Sequence, residues 1–449
     1  MIIHPLDNVE VGDDGQKYAL CDIKKGDNVI KYGFAIGHAT ADIKIGERVG
    51  PKNLATNLAG RGEWEYKPIS VDFEKKNGTF KGYLRENGEV GIRNELWIIP
   101  TVGCINNVVR TLADKHGGRA LTHPYGCSQL GGDLETTQKT LAGLVRHPNA
   151  GGVLLVGLGC EENLLSDMIR LLGDDYNKDR VKFLNIQDCG DEYAEADTLI
   201  AELKEKMSGD TRTEVPISKL RVAVKCGGSD GYSGITANPL CGRVSERFYE
   251  YGATVLMTEV PETFGAEQLL LSRAKDKKTF DAASKMIKDF RQYYIDQGQP
   301  ISENPSPGNV AGGITTLEEK SLGCVQKAGR VPLCGALNIG ERPGDGGLYI
   351  VHGPGNDMVA VTNLAASGAH IIMFTTGRGT PLSSPVPTLK IATNTALADK
   401  KPHWIDLDAM KEDTDALFAL CIATAEGKPT KAETIGAYDI AIFKNGVTL

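Results

Sequence analysis

Over residues 1–66 apolar and polar positions alternate in short runs, among them YALCDI, NVIKYGFAIG and ERVG, broken by Gly and Asp turns and without helix-length periodicity. Side chains at a period of two fall on opposite faces of a strand, so this region is expected to be a small all-β module. The stretch 67–81 contains Pro68, a polar run over 74–78 and few large aliphatics, and reads as a linker. From Glu95 the pattern changes. LWIIPTVGC leads into NNVVRTLADKH, GVLLVGLGC into NLLSDMIRLLG, and VKFLNIQD into EYAEADTLIAELKEKM. Apolar runs alternating with helical segments are the mark of parallel-sheet α/β units. A second polar stretch, SGDTRTEVPIS, ends near residue 217, after which RVAVK, YGATVLMTEV, GLYIVHG and HIIMFTTG read as buried strands and 266–297 as one or two long helices. The expected fold is therefore multidomain α/β. An all-β module over 1–66 and a linker over 67–81 precede an α/β domain over 82–217 and a C-terminal α/β domain over 218–449 that carries the chemistry, both with largely parallel sheets.

Length agrees, since 449 residues exceed what one ordinary core serves. The 53 glycines put much backbone in tight turns. A formal net charge of −8 without a basic stripe argues against a nucleic-acid partner. No apolar run is long enough to span a bilayer and the start MIIHPLDNVEVGDDG lacks the regions of a secretory signal, so a cytoplasmic protein without membrane contact is expected. An acidic chain that handles an anion needs local cations, from Arg, Lys or a metal. The ten cysteines include no CxxC pair, which argues against a zinc ribbon, and a reducing compartment makes a disulfide framework improbable.

Ligands in open α/β sheets collect where strands end and helices begin, and the polar motifs fall there. Three are cysteines in glycine-rich turns: TVGCINN (101–107), HPYGCSQLGGD (123–133) and GLGCEEN (157–163). One such cysteine would be a small residue filling a turn; the three together, beside Gln129 and Glu161, point to a site lining. GLGCEE lacks the third glycine of the dinucleotide fingerprint, and neither GxxxxGK[ST] nor HExxH occurs. The densest cluster, CGGSDGYSGITANPLCG (226–242), offers Ser229, Asp230, Ser233, Thr236 and Asn238 to hydroxyls or a hard cation. MTEVPETFGAE gathers Glu259, Glu262 and Glu267, carboxylates that could bind metal or act as base and acid. Glu267 fits a helix first turn, and Glu259 at a strand end is the stronger candidate. In GNVAGGITTLEEKSLGC, Thr315 or Thr316 can cap a helix opened by Glu318 and Glu319, and capping leaves Lys320 unexplained. Further on, His352 and Asp357 flank a Gly-Pro turn. Arg378 in TTGRGTP is either a bidentate partner for a substrate carboxylate or a surface arginine.

GYLRENGEVGIRN, HPYGCSQ, CGGSDGYSGITANP, TEVPETFGAE, GGITTLEEKSLGC and TTGRGTP together resemble the altronate/galactarate dehydratase family over nearly the whole chain, and AIGHATADIKIGE resembles its SAF (β-clip) domain. The resemblance implies elimination of water from a sugar acid, with Fe²⁺ or Mn²⁺, D-altronate as first-choice substrate and 2-dehydro-3-deoxy-D-gluconate as product. A divalent ion suits this reaction because the proton beside a carboxylate is poorly acidic. On this reading Glu259 or Lys320 is the base, and Asp230 and Glu262 contact metal or hydroxyls. Ser229, Ser233, Asn238, Gln129, Thr376, Arg378 and His38 contact substrate. The candidate metal ligands are Cys127, Cys160, Cys226, Asp230 and Glu259, with an iron–sulfur cluster on the three cysteines as the alternative cofactor. One departure concerns a His-x-His-Asn run of many members, replaced here by Gly50-Pro51-Lys52-Asn53, for which His38 is the candidate substitute. Galactarate dehydratase and (2R)-sulfolactate sulfo-lyase are the alternative activities, the fused SAF module favouring a sugar acid. A sugar-acid-binding protein without turnover is the non-enzymatic alternative. Homo-oligomerisation is compatible with the sequence.

Overall fold

The computed structural model describes residues 1–60, 62–436 and 438–446. The N-terminal module consists of two three-stranded antiparallel sheets. One pairs Val9–Val11, Lys17–Ala19 and Arg48–Val49; the other pairs Asn28–Lys31, Phe34–Ala39 and Leu54–Ala55. Val9, Val11, Val29 and Ile36 are buried, as the period-two pattern requires. Tyr32 and Gly33 turn the hairpin with positive φ at both (61° and 78°), the backbone that fits the twist of paired strands. Gly50–Asn53 is another turn, closed by Asn53 N–H donating to the Gly50 carbonyl at 3.0 Å.

Two parallel sheets follow. The first has four strands in the order Arg119–Ala120, Glu95–Pro100, Ala150–Gly157, Val181–Asn185. The second has seven, in the order Leu333–Leu337, Gly347–Val351, Thr254–Met257, Arg221–Cys226, Ile371–Thr376, Thr388–Ala392, Leu407–Asp408. A small antiparallel sheet of Thr79–Leu84, Val90–Gly91 and Thr213–Pro216 brackets the four-stranded region, its first strand starting inside the stretch read as linker. Both faces of the seven-stranded sheet are covered, which is why its strands read as continuous apolar runs. Val222, Val224, Val255 and Met373 pack into one core. Ala223, Leu256, Ile372 and Phe374 pack into another that also contains Trp97, Ile99, Val153 and Leu155 of the four-stranded sheet. The helices Gly132–Val145 and Asp357–Ala366 carry that shared core, and a Cβ at Gly143 would lie 2.3 Å from the Ala366 carbonyl oxygen.

Strand order reverses once in each parallel sheet, between Glu95–Pro100 and Ala150–Gly157 and between Arg221–Cys226 and Ile371–Thr376. Such switch points open a crevice beyond the strand C-termini. The β module docks on the helix Leu317–Cys324 beside the second crevice. Lys17 and Lys31 each reach a Glu319 oxygen at 2.8 Å, and Glu318 accepts from the Thr56 hydroxyl and the Asn57 N–H at 2.9 and 2.6 Å. No helix among the described residues is long and apolar enough to cross a membrane.

Candidate active site

A cavity of about 1170 Å³ opens beyond the C-terminal ends of Arg221–Cys226, Thr254–Met257 and Gly347–Val351, lined by Cys226 to Gly228, Glu262, Lys320, Asn304, Asn309 and Asp357 among others. Three strand-to-helix connections and the helix Leu317–Cys324 supply it. Cys226 ends its strand, while Glu262 sits in the turn Val260–Thr263 beyond Thr254–Met257. Asp357 opens the helix Asp357–Ala366 after Gly347–Val351. Lys320 and Cys324 lie one helical turn apart on Leu317–Cys324, so both point the same way. Thr316 caps this helix by accepting the Glu319 N–H.

At the floor of the cavity the Cys226 thiol lies 3.3 Å from that of Cys324, and both lie against Glu262 Oε2, at 3.2 and 3.1 Å. Among the described residues this is the only group of three Cys, His, Asp or Glu side chains whose ligand atoms lie within 4.8 Å of one another. Two thiols and a carboxylate, all buried, suit a divalent transition metal, and two sulfurs favour ferrous iron over manganese, whose preference is for oxygen.

Three buried lysines surround this group. Lys320 Nζ is 2.7 Å from Glu262 Oε1 and donates to Asn304 and Asn309 at 3.0 and 3.3 Å. Lys327 Nζ is 2.9 Å from the Cys226 sulfur. Lys225 pairs with Glu259 and reaches Asp357 Oδ1 at 2.6 Å. Burial alone would raise the Glu262 carboxyl, but Lys320, Lys225 and Lys327 outweigh it and hold Glu262 ionised far below the usual range. Burial opposes the Lys320 ammonium, but Glu262 above all, with Cys226 and Cys324, outweighs it and holds the group charged. Glu259 goes the other way, because burial and then the neighbouring Glu262 push its carboxyl well above the usual range. The hydrogen bond from Cys324, helped by Lys327, brings the Cys226 thiol down to about 6, and Cys324 itself is driven well up as the donor. Glu259 also adopts a left-handed backbone (φ 65°, ψ 59°), rare for a residue with a side chain and concentrated at functional sites.

The structure brings together Cys226, Glu262 and Lys320 of the sequence candidates, with Glu259 just behind Lys225. Arg378 is exposed at the rim, its side chain against Gly308 and its N–H on the Gly228 carbonyl at 3.1 Å. The remaining candidates, Ser229 excepted, are committed elsewhere. Asp230 accepts from Thr393, Asn394 and Ser233 at 2.9 to 3.0 Å, an anchor for its loop. Asn238 ties Gly323 to Thr375, and the Thr376 hydroxyl accepts the Gly379 N–H. The Ser229 hydroxyl is buried without a partner. Gln129 caps a turn of the four-stranded region, accepting from Gly126 and Thr137. His38 stays on the β module, its Nδ1 2.8 Å from Asn57 Oδ1, and the Gly50–Asn53 turn contributes nothing to the cavity lining. Cys127 and Cys160 are exposed on loops of the four-stranded sheet, whereas Cys226 is buried beneath Lys327, so the three do not form one ligand set.

Sequence reasoning left out Lys225, Lys327, Cys324, Asn304 and Asn309. A signal existed for two of them. A lysine inside the apolar run RVAVKC must be buried and hence paired, and Cys324 follows Lys320 by four residues on one helix.

Comparison with known proteins covers the same regions. Residues 7–57 match the family described as Altronate/galactarate dehydratase SAF domain, residues 82–209 D-galactarate dehydratase/Altronate hydrolase, second domain, and residues 217–448 D-galactarate/Altronate dehydratase, C-terminal. The altronate dehydratase of Bacillus subtilis (strain 168) is 47% identical, over 98% of this chain and 94% of its own length. That of Escherichia coli (strain K12) is 46% identical over 97% and 92%. The (2R)-sulfolactate sulfo-lyase subunit beta of Chromohalobacter salexigens is 33% identical over 83% of this chain and 98% of its own.

Proposed function

This chain belongs to the altronate/galactarate dehydratase family, and from that premise we propose that it is a hydro-lyase converting D-altronate to 2-dehydro-3-deoxy-D-gluconate and water, with a divalent metal held by Cys226, Glu262 and Cys324. The observation that carries this reading is the convergence of those three ligands beside a cavity that Cys226, Glu262, Lys320 and Asp357 line. When bound, the metal supplies positive charge where the substrate carboxylate gains negative charge during proton removal. The protein's own groups do the rest. Arg378 at the rim and the Asn304 and Asn309 amides hold the carboxylate and hydroxyls of the sugar acid. Asp357, positioned by Lys225, lines the cavity and accepts the C2 proton. The C–H electron pair becomes the C2–C3 double bond as the C3–O bond breaks. The departing hydroxyl takes a proton from the Lys320 ammonium, and the enol tautomerises to the 2-keto acid. On this reading Glu259 holds Lys225 in place and touches no substrate, and Asp357 rather than Glu259 is the base, because Asp357 lines the cavity and Glu259 lies behind the lysine.

An anaerobic keto-acid assay of the purified protein, with Fe²⁺ or Mn²⁺ and a panel of altronate, galactarate, other aldonates and sulfolactate, tests this. The expected result is metal-dependent 2-keto-3-deoxy acid from altronate, faster with Fe²⁺. Sulfite release from sulfolactate moves the assignment to the lyase. Tight metal binding without turnover of any substrate overturns the enzymatic reading and leaves a binding protein.

A further inference from the structure

The three glycine–cysteine turns are not absorbed by the cavity chemistry. Cys104, Cys127 and Cys160 are all exposed, although a free cysteine is among the residues most often buried. They follow the C-terminal ends of Glu95–Pro100, Arg119–Ala120 and Ala150–Gly157, three neighbouring parallel strands that include both sides of the switch point. Each comes directly after a glycine that the packing demands. A Cβ at Gly103 would lie 2.9 Å from the His123 carbonyl oxygen, at Gly126 2.1 Å from that of Thr101, and at Gly159 2.7 Å from Gln187 Oε1.

The loops are tied to one another rather than merely adjacent. Gly103 N–H donates to the Tyr125 carbonyl at 2.8 Å, Asn163 N–H to that of Gly126 at 2.9 Å, and Gln129 N–H to Glu162 Oε2 at 2.8 Å. The buried Glu161 carboxylate accepts from the Thr101 hydroxyl at 2.6 Å and from the N–H groups of Leu158 and Gly159 at 3.0 and 2.6 Å, fixing the Cys160 turn. Ser128, next to Cys127, is held left-handed at φ 57°. The Gln187 side-chain amide donates to the Cys160 sulfur at 3.3 Å, the kind of hydrogen bond that steadies a ligated thiolate. Exposed cysteines gathered on three mutually hydrogen-bonded turns are the donor type that holds iron–sulfur clusters.

We propose that Cys104, Cys127 and Cys160 bind an iron–sulfur cluster at the switch point of the four-stranded sheet, as three thiolates that leave one iron open to an exogenous oxygen ligand. Binding releases the three thiol protons and requires only ferrous iron, sulfide and, for the final charge state, a mild oxidant such as a disulfide. Cys104 thus takes the place that the sequence gave to Cys226. The inference stands independently of the proposed dehydration, and a cavity metal on Cys226, Glu262 and Cys324 would bring no sulfide.

The test is anaerobic reconstitution of the full chain with ferrous iron, sulfide and a small-molecule disulfide that takes up two electrons per cluster as it is reduced to two thiols, followed by desalting, absorption near 400 nm, and iron and acid-labile sulfide per chain. The wild type is expected to retain a broad chromophore with about four sulfides per chain. C104S, C127S and C160S should each lose more than about half of that sulfide, with circular dichroism unchanged, while C21S, an exposed cysteine of the β module, retains it all. Iron uptake without acid-labile sulfide overturns the proposal, as does a triple serine variant with the wild-type chromophore. Because the readout is spectroscopic, failure of the keto-acid assay leaves this result unaffected, and the reverse holds.

Discussion

Two sets of buried charges share the helix Leu317–Cys324, and they are built to opposite ends. On the side facing the β module, Glu319 uses both oxygens. Oε1 meets Lys31, Oε2 meets Lys17 and the Thr315 N–H, and Lys17 goes on to the Gly313 carbonyl and the Thr315 hydroxyl. One carboxylate shared between two lysines holds Lys31 charged, whereas burial outweighs the pairing at Lys17 and brings it down to about 8. On the side facing the cavity, more groups compete than can be satisfied. Glu259 Oε2 and the Ser229 hydroxyl have no hydrogen-bond partner, two thiols crowd one carboxylate oxygen, and Glu259 and Glu262 are pushed in opposite directions. A saturated network specifies one docking geometry. An undersaturated one leaves buried donors and acceptors for a ligand.

The sharpest break in this contrast is Lys320→Met, which removes the ammonium on the cavity side. The turnover number should fall about 10³-fold in the keto-acid assay, while the β module stays docked, because Glu319 and its lysines are untouched. Glu319→Gln is the mirror experiment. It leaves two buried lysines short of a countercharge and should cost about 3–5 kcal/mol in urea unfolding. The sign with pH follows from the shift. Burial raises the Glu319 carboxyl, but Lys17 and Lys31 outweigh it and bring it down to about 2, below its unfolded value, so its contribution is present above roughly pH 4.5 and is lost as the pH falls toward 2. The wild type should therefore shed stability across that acid window, and E319Q should lack this component.

Smaller effects sharpen the comparison further. Asp230→Ala strips the acceptor from Thr393, Asn394 and Ser233 and should lower stability by about 1–3 kcal/mol, with turnover per folded molecule unchanged. A loss of metal affinity in that variant would instead return Asp230 to the ligand set. His38→Ala should change unfolding by less than about 0.5 kcal/mol and leave kcat/KM as it was. A clear drop in kcat/KM would put the β module's histidine into substrate binding.

Local pattern was enough for the elements and for where polar groups gather. The alternation in YALCDI and NVIKYGFAIG announces strands covered on one face, and RVAVK and HIIMFTTG announce strands covered on both, because side-chain periodicity is a property of consecutive residues. The motifs after RVAVK and YGATVLMTEV were likewise legible as site material, since strand ends are where α/β sheets bind ligands. What consecutive residues cannot carry is which strand ends meet. Cys226, Glu262 and Cys324 are 36 and 62 positions apart in their contacts to the shared carboxylate, and only the order of the seven strands, with the helix Leu317–Cys324 laid across their ends, makes them neighbours. The same folding sends Asp230, Asn238 and His38, polar residues as eligible by type, into hydrogen bonds that hold loops together. Residue type determined what each side chain could do, and tertiary structure decided what it does, by choosing which buried groups are satisfied and which are left for a ligand.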